Sequence, residues 1–178
     1  MKMVRKAGFL CLSLCGALLA SCVFVGGPGG VQIAKGGKAT VDIVVADKPI
    51  PAEAMAQREL SEHLEKVTGA KFAVVKEGEF KAGKPAIYLG QTEFARKNGV
   101  DFAKLGEERM IVKTADSSLI ISGGRKRGTL YATYEFLERL AGCHWLAWDT
   151  TVIPKTPDLN VPPTNIDMIP AFAPRVIY

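Results

Sequence analysis

The glycine pair Gly123-Gly124 lies between a strand pattern and a helix pattern, and it constrains the possible folds of this chain more than any other feature. Residues 118–122 (SLIIS) have the β-branched, apolar composition of a buried strand, and the glycine pair follows them directly. A helical pattern then covers residues 127–140, and Gly142 lies just beyond its end. The stretch 123–145 (GGRKRGTLYATYEFLERLAGCHW) therefore predicts a strand that turns tightly into a core helix.

The same stretch also admits a phosphate-binding interpretation. Gly123 and Gly128 have the G-x-x-x-x-G spacing of a P-loop, but Thr129 stands where that motif needs a Lys to reach the outer phosphates. No later strand pattern ends in an obvious Mg²⁺-binding Asp. We therefore expect the glycine pair to form the turn, Gly128 to allow close packing at the helix start, and the cations of residues 125–127 to lie on a solvated shoulder.

The rest of the chain alternates between strand and helix patterns. Strands are expected at residues 40–46, 72–75, 86–89, 108–114 and 118–122, with a last strand inside 145–153. Helices are expected over 52–67, 92–97 and 127–140. The first long helix has its apolar stripe at Ala56, Leu60, Leu64 and Val67, and the second at Leu130, Tyr134, Leu137 and Ala141, flanked by Tyr131 and Phe136. The fold class expected is α/β (an α+β sandwich), with a mostly β layer of five to six strands and two long helices packed on one face.

The first 21 residues have the pattern of an export signal. Residues 1–6 carry three cations, and an apolar run over 7–20 follows. Leu19-Ala20-Ser21-Cys22 resembles the bacterial lipobox, in which the Cys is the lipidated first residue of the mature protein. We expect a lipoprotein signal peptide at 1–21, lipidation at Cys22, and a bacterial membrane-anchored lipoprotein of the outer membrane or periplasm. An uncleaved anchor is the alternative, because the apolar run extended to Val25 approaches the ~20 residues of a spanning helix.

Removing the signal changes what charge and cysteine content imply. The chain has 23 Lys+Arg and 18 Asp+Glu, and three of the cations precede Cys22, which leaves 20 minus 18, or +2. That balance gives no reason to expect a nucleic-acid partner. Cys143 is the one cysteine beyond Cys22, so an internal disulfide is not expected. With His63 and His144 it lacks the spacing of a zinc site, and we expect neither a metal nor another cofactor.

Residues 124–145 resemble the accessory domain that precedes the barrel in several carbohydrate-active enzymes. These are alpha-glucuronidases, family 20 beta-N-acetylhexosaminidases and exported bacterial relatives. The pattern that carries the resemblance is G-x-x-R-G-T-x-Y-A-x-Y-x-F-L-E-x-x-x-G-C-x-W, with His144 where an Arg is expected. Two upstream segments agree in the same order, residues 56–70 and Ile87-Tyr88-Leu89-Gly90, and residues 170–175 resemble the joint that leads into the barrel.

The resemblance implies a division of the chain into four segments. After the signal peptide, a Gly-rich tether is expected at 22–38, a hexosaminidase domain 2-like accessory domain at 39–153, and a Pro-rich linker toward a missing barrel domain at 154–178. In these enzymes the barrel carries the catalytic carboxylates, so the resemblance implies that no residue here is catalytic.

Four residues are candidates for packing on a barrel or for stacking on sugar rings: Arg127, Tyr131, Trp145 and Trp148. The acids Glu59, Glu62 and Glu65 are expected on a solvated helix face, His63 partly buried, and Cys143 as a small buried hydrophobe. The function expected is an accessory domain of an exported glycoside hydrolase, with a catalytic barrel, the membrane and polysaccharide as partners. The alternative is a free-standing surface lipoprotein that binds glycan or protein, and an enzyme in its own right is a weaker third hypothesis.

Overall fold

The structure is a computed structural model of the 178-residue chain that describes residues 30–81 and 83–170. The strands are β1 (Val31–Lys35), β2 (Lys38–Ala39), β3 (Asp42–Val45), β4 (Val74–Lys76), β5 (Ala86–Leu89), β6 (Met110–Ala115), β7 (Ser118–Gly123), β8 (His144–Ala147), β9 (Thr150–Val152), β10 (Leu159–Val161) and β11 (Asn165–Met168). The helices are α1 (Pro51–Thr68), α2 (Glu93–Lys97) and α3 (Gly128–Arg139), with short 3-10 turns at Glu77–Glu79 and Phe102–Lys104.

A six-stranded sheet in the order β11-β6-β7-β5-β3-β4 forms the centre of the fold. Strands β4, β3, β5 and β7 run parallel, while β6 pairs antiparallel with both β7 and β11. All four residues of β5 are buried, because a parallel central strand is covered on both faces. The expected mostly β layer of five to six strands is confirmed.

The two long helices pack on each other and on one face of this sheet, as expected. The predicted stripe of α1 is fully buried, with Ala56, Leu60 and Leu64 at 0% exposure. They share one core cluster with Ile87 and Phe136. Alternate residues of the same strands face the other side of the sheet, where α2 and the Phe102–Lys104 turn cover them.

The predicted stripe of α3 is partly wrong. The fully buried face comprises Ala132, Thr133, Phe136 and Leu137, while Leu130 and Tyr134 are half-buried. Since α3 packs against the sheet and against α1 at once, its buried arc is broader than one stripe. The small side chains of Ala132 and Thr133 allow α3 to approach its neighbours closely. A search for large apolar residues at helical spacing does not detect such positions.

The tether expected at 22–38 is wrong from Val31 onward. Strand β1 pairs with β2 and β10 in a separate three-stranded antiparallel sheet. Val31 and Ile33 are 1% and 0% exposed and belong to the main core. Residues 31–35 alternate as a strand does, but glycines stand on both sides of them. The glycine content of the whole segment therefore favours a tether over a strand.

The linker expected at 154–178 is wrong over β10 and β11. Strand β10 pairs with β1, and β11 extends the central sheet through β6. The Thr156 amide also donates to the Val67 carbonyl oxygen at 2.8 Å, at the end of α1. The prolines at 154, 157, 162 and 163 lie between the paired segments, so they do not interrupt the hydrogen bonds of either strand.

The membrane-related predictions concern residues outside the described ranges. The signal peptide at 1–21, Cys22 and the segment 171–178 all lie there, and they stay predictions. Within residues 30–81 and 83–170, no helix has both the length and the apolar character needed to cross a membrane.

Candidate functional site

The glycines of the β7–α3 turn are required by close backbone contacts. A Cβ atom on Gly123 would lie 2.2 Å from the carbonyl carbon of Gly128, and one on Gly124 would lie 2.4 Å from the carbonyl oxygen of Gly106. A Cβ on Gly128 would lie 2.4 Å from the carbonyl oxygen of Arg109. No side chain fits at these distances, so the predicted roles of the glycine pair in the turn and of Gly128 in close packing are confirmed.

The amides of this turn are engaged within the protein. The backbone N–H groups of Lys126, Arg127 and Gly128 all donate to the carbonyl oxygen of Glu107, at 3.1, 3.2 and 3.3 Å, and those of Lys126 and Gly128 also donate to the carbonyl oxygen of Gly124, at 3.0 Å each. A phosphate-binding loop keeps such amides for its ligand. This turn therefore has no amide cradle for phosphate at these three residues.

The three cations of the turn lie on the surface, and each faces a carboxylate. Lys126 Nζ lies 3.0 Å from Glu107 Oε2, and Arg127 pairs with Glu108. Arg125 Nε lies 3.6 Å from Glu53 Oε1 and its Nη2 donates to the carbonyl oxygen of Lys48. The expectation of a solvated shoulder is confirmed, with the addition that its charge is compensated locally.

Glu53 is a buried carboxylate that the sequence pattern did not single out. It is 3% exposed, and its Oε2 accepts a hydrogen bond from the Ile50 N–H at 2.9 Å, which closes the start of α1. Its Oε1 has no hydrogen-bond partner among the described residues and lies beside Gly90, where a Cβ atom would approach it to 3.3 Å. Glu53 thus contacts Gly90, which follows β5, and Arg125, which follows β7. Arg125 in turn donates to the carbonyl oxygen of Lys48, which follows β3. A Glu three residues after an N-cap position was the available signal, but Ile50 is not a usual capping residue.

The β8–β9 hairpin is the most exposed apolar part of the described chain. It forms a two-stranded sheet of its own, and every residue from 144 to 152 is exposed. The apolar side chains here include Leu146 at 69%, Trp148 at 97% and Val152 at 47% exposure. The last strand expected inside 145–153 is therefore a hairpin that projects from the domain.

Trp145 holds this hairpin on the two long helices. Its ring meets the Tyr134 ring edge-on, with centroids 5.2 Å apart, and lies 5.5 Å from the His63 ring. His63 is 7% exposed and its Nδ1 lies 2.8 Å from the carbonyl oxygen of Glu59. His63 is therefore more buried than the partial burial expected. Cys143, at 0% exposure just before the hairpin, is the buried small hydrophobe expected, and burial raises the pKa of its thiol.

The four predicted site residues fall into two groups along α3. Arg127 stands at the helix start with its guanidinium carbon 5.7 Å from the centroid of the Tyr131 ring. Trp145 and Trp148 belong to the hairpin near the other end of the same helix. Tyr134, assigned to the core from sequence, lies between the groups and contacts Trp145. Burial, followed by the nearby Glu59 carboxylate, raises the pKa of Tyr134.

A small groove lies between these two groups. Its volume is about 160 Å³, and it is lined by Met110, Tyr131, Tyr134, Glu135, Glu138 and Pro170. The described residues contain no group of three His, Cys, Asp or Glu side chains placed to hold a metal ion. The site is thus an aromatic, partly apolar surface along α3 and the hairpin.

Comparison with known proteins gives a family and a fold. Residues 32–136 match the family model described as glycosyl hydrolase family 67 N-terminus. Two similar solved structures are the Streptomyces plicatus N-acetyl-beta-hexosaminidase in complex with Thio-NAglucal (13% identity, TM-score 0.51) and the GH20 beta-N-acetylhexosaminidase from Streptomyces coelicolor A3(2) (20% identity, TM-score 0.52). Each alignment covers 82% of this chain and 24% of the enzyme, so the chain spans about a quarter of the length of these structures. A sequence comparison with curated proteins found no match.

Proposed function

The chain belongs to the family of glycosyl hydrolase family 67 N-terminal domains, and on that premise we propose that it is a non-catalytic accessory domain that packs on a catalytic domain. In glycoside hydrolases such a domain sits with a catalytic domain in cis. Residues 30–81 and 83–170 form the sheets and helices given above and not the ring of eight parallel strands and eight helices of a (β/α)₈ barrel. We therefore assign the reaction to a partner domain, and we place no catalytic residue in the described ranges.

The exposed hairpin is the observation that carries this proposal. Trp148 is 97% exposed and Leu146 69%, on an element that contributes neither side chain to its own domain's core. Exposed apolar patches of this kind mark interaction sites, and Trp is enriched among the residues that dominate binding energy. Because Trp145 already holds the hairpin against α3, little ordering entropy would be lost when a partner docks.

Arg127 and Tyr131 form the second part of the proposed contact. The Arg127 guanidinium is held between Glu108 and the Tyr131 ring, so its position is defined before any partner binds. The groove beside Tyr131 and Pro170 lies between this group and the hairpin. A partner surface that follows α3 would meet both groups.

Thermal unfolding with and without a catalytic domain tests the proposal. The full chain would be melted alone and with the isolated barrel of a family 67 enzyme added in trans. We expect the barrel to raise the melting temperature, and Trp148→Ser to abolish that rise while leaving the chain alone unchanged. Val74→Ser is the matched control, since Val74 is also exposed, at 42%, but lies on the edge strand β4. A melting temperature that the barrel leaves unmoved would reject the contact.

A glycan-binding surface lipoprotein is the second candidate, and the same Trp148 favours it. A ring that is 97% exposed presents its apolar face to solvent, as a sugar-stacking platform does. Titration of oligosaccharides against tryptophan fluorescence distinguishes the two functions. A saturable change that Trp148→Ser removes would favour glycan binding, and no change would favour the domain contact.

Export and anchoring through Cys22 complete the proposal. They are supported by the basic start, the apolar run and the Leu-Ala-Ser-Cys sequence at residues 19–22. Expression in a bacterium with radiolabelled palmitate tests them. The chain should carry label in the membrane fraction, and Cys22→Ala should carry none. Equal labelling of the two would contradict lipidation at Cys22.

A further inference from the structure

A polar cleft of about 390 Å³ lies on the side of the central sheet opposite α1 and α3. Its floor follows from the pairing of β11 with β6, where Asn165 is opposite Lys113 and Asp167 is opposite Ile111. The intervening Val112 belongs to the core on the α1 and α3 side. Because side chains alternate across a strand, the four paired residues share the other face and together line the cleft.

The segment that follows α2 forms the wall of this cleft. Val100 and Leu105, both 5% exposed, pack with Ile111 in a second core cluster and form an apolar base. Charged side chains stand around that base, with Asp101 and Lys104 on the wall. An apolar base with a few polar groups, in a volume between ~300 and ~1,000 Å³, is typical of small-molecule sites.

Two of the three cations that line the cleft form ion pairs with carboxylates, and within residues 30–81 and 83–170 the third does not. Arg109 donates to both carboxylate oxygens of Asp167, at 2.6 and 2.7 Å, and Lys104 Nζ lies 3.1 Å from Asp101 Oδ2. Lys113 differs, because its Nζ donates to the carbonyl oxygen of Asn98 at 2.7 Å and has no ion-pair partner within the described part of the chain. Lys113 is thus a half-buried lysine of the cleft whose ammonium has no carboxylate within 4.0 Å among the described residues.

The neighbouring backbone leaves room beside this ammonium. Gly99 has a φ of +87°, and a Cβ atom there would lie 3.8 Å from Lys113 Nζ. Any other residue at 99 would place its side chain against the ammonium group and narrow the cleft. Glycine therefore keeps the Nζ open on that side while Asn98 fixes its position.

We propose that this cleft binds a small hydroxyl-bearing carboxylate, such as an acidic monosaccharide unit, with its carboxylate on Lys113 Nζ. The carboxylate supplies the missing counter-charge, and a charge-assisted hydrogen bond is about twice as strong as a neutral one. Asn165 and Asp101 supply polar groups for hydroxyls, and the base of Val100, Leu105 and Ile111 meets the C–H groups of the ring. The lining contains no aromatic ring, which disfavours recognition of a neutral sugar by stacking.

Three probes and two variants test the proposal on the full chain in non-ionic detergent. D-galacturonate and D-galactose differ in the carboxylate alone, and acetate carries the charge without hydroxyls. Binding is measured by isothermal titration and located by amide chemical shifts. Lys113→Met removes the ammonium, and Lys71→Met, at an exposed position outside the cleft, is its control.

We expect galacturonate to bind at least ~10-fold more tightly than galactose and acetate, with shifts at Gly99, Val100 and Asn165. Lys113→Met should weaken galacturonate by at least ~10-fold, while Lys71→Met should not change it. Equal binding of galacturonate and galactose, equal binding of acetate, or shifts outside the cleft would each overturn the proposal. If Lys113→Met fails to fold, the comparison of galacturonate with galactose on the unmodified chain still decides the matter. A failure here leaves the hairpin contact untouched, since the two surfaces share no residue.

Discussion

At the scale of single residues, the β7–α3 turn shows how glycine acts by taking up no space. Gly123, Gly124 and Gly128 bring three backbone segments within distances that exclude a Cβ atom. The same spacing of glycines in a P-loop serves a ligand, whereas here the converging amides of residues 126–128 serve the Glu107 carbonyl oxygen. The same glycine spacing can therefore form a phosphate-binding loop or a turn closed by backbone hydrogen bonds. The acceptor of the amide hydrogen bonds distinguishes the two.

Gly124→Ala should destabilise the fold strongly. The new Cβ atom would lie 2.4 Å from the Gly106 carbonyl oxygen and 2.6 Å from the Glu107 carbonyl carbon, and neither backbone atom can rotate away. We expect a loss of about 3 kcal/mol in the free energy of unfolding, measured by urea denaturation followed by circular dichroism. Gly78→Ala is the control, because the nearest atoms to its Cβ belong to the Asp47 side chain, at 3.3 Å, which can rotate away. Equal unfolding midpoints for the two variants would contradict this account of the turn.

At the scale of elements, the β8–β9 hairpin contacts the two long helices through Trp145, and the residues on either side of the hairpin, Cys143 and Ile153, pack on the main core. A lone two-stranded hairpin is marginally stable in water, and this one is exposed throughout. The contacts of Trp145 with Tyr134 and His63 attach it to α3 and α1. Trp148 makes no comparable contribution to the domain, at 97% exposure.

Trp145→Ala should free the hairpin, while Trp148→Ala should leave it in place. We expect amide hydrogen exchange over residues 144–152 to rise about 10-fold in Trp145→Ala, since the loss of its two ring contacts costs about 1.4 kcal/mol. The Trp148→Ala variant is the matched control with the same side chain removed from the same hairpin. Similar exchange in both variants would show that the strand pairing alone holds the hairpin.

At the scale of the whole molecule, a charge pair supplements the backbone pairing that joins the last described strand, β11, to β6. Arg109 forms two hydrogen bonds with Asp167 of β11, and this side-chain hydrogen bonding holds the pKa of Asp167 below its usual range. A carboxyl whose pKa is lower in the folded state adds stability above its unfolded pKa of ~3.9 and loses it as the pH falls through the folded pKa. The pair is partly exposed, so this contribution is small and screened by salt.

Asp167→Asn should therefore lower the melting temperature at neutral pH and have little effect in acid. The difference between the native chain and the variant should be present from pH 7 down to about pH 4, and should shrink below it. Melting curves across this range measure it, with Glu62→Gln, at an exposed position of α1, as the control. A difference that persists unchanged into strong acid would mean that the pair is not the cause.

Much of this fold could be predicted from local sequence patterns. The α1 stripe, the strand at 86–89, the antiparallel pair at 108–122 and the glycine turn depend on periodicity and backbone sterics within a few residues. Three strands at the ends of the domain, β1, β10 and β11, lie in the segments predicted as a tether and a linker, because they are short and stand among glycines and prolines. The β1–β10 pairing joins residues more than 100 positions apart and the β11–β6 pairing residues more than 50 apart, and no local pattern encodes either.

The candidate site divides in the same way. The tight turn, the core helix and the aromatic residues that line α3 could be predicted from the sequence, since they follow from local sterics and side-chain chemistry. Three features emerge from the folded domain alone: Glu53 is buried beside Arg125, Trp148 is exposed while Trp145 contacts the helices, and Lys113 has no ion-pair partner among the described residues. Burial and charge pairing depend on which distant segments meet, and that is set by the packing of the whole domain.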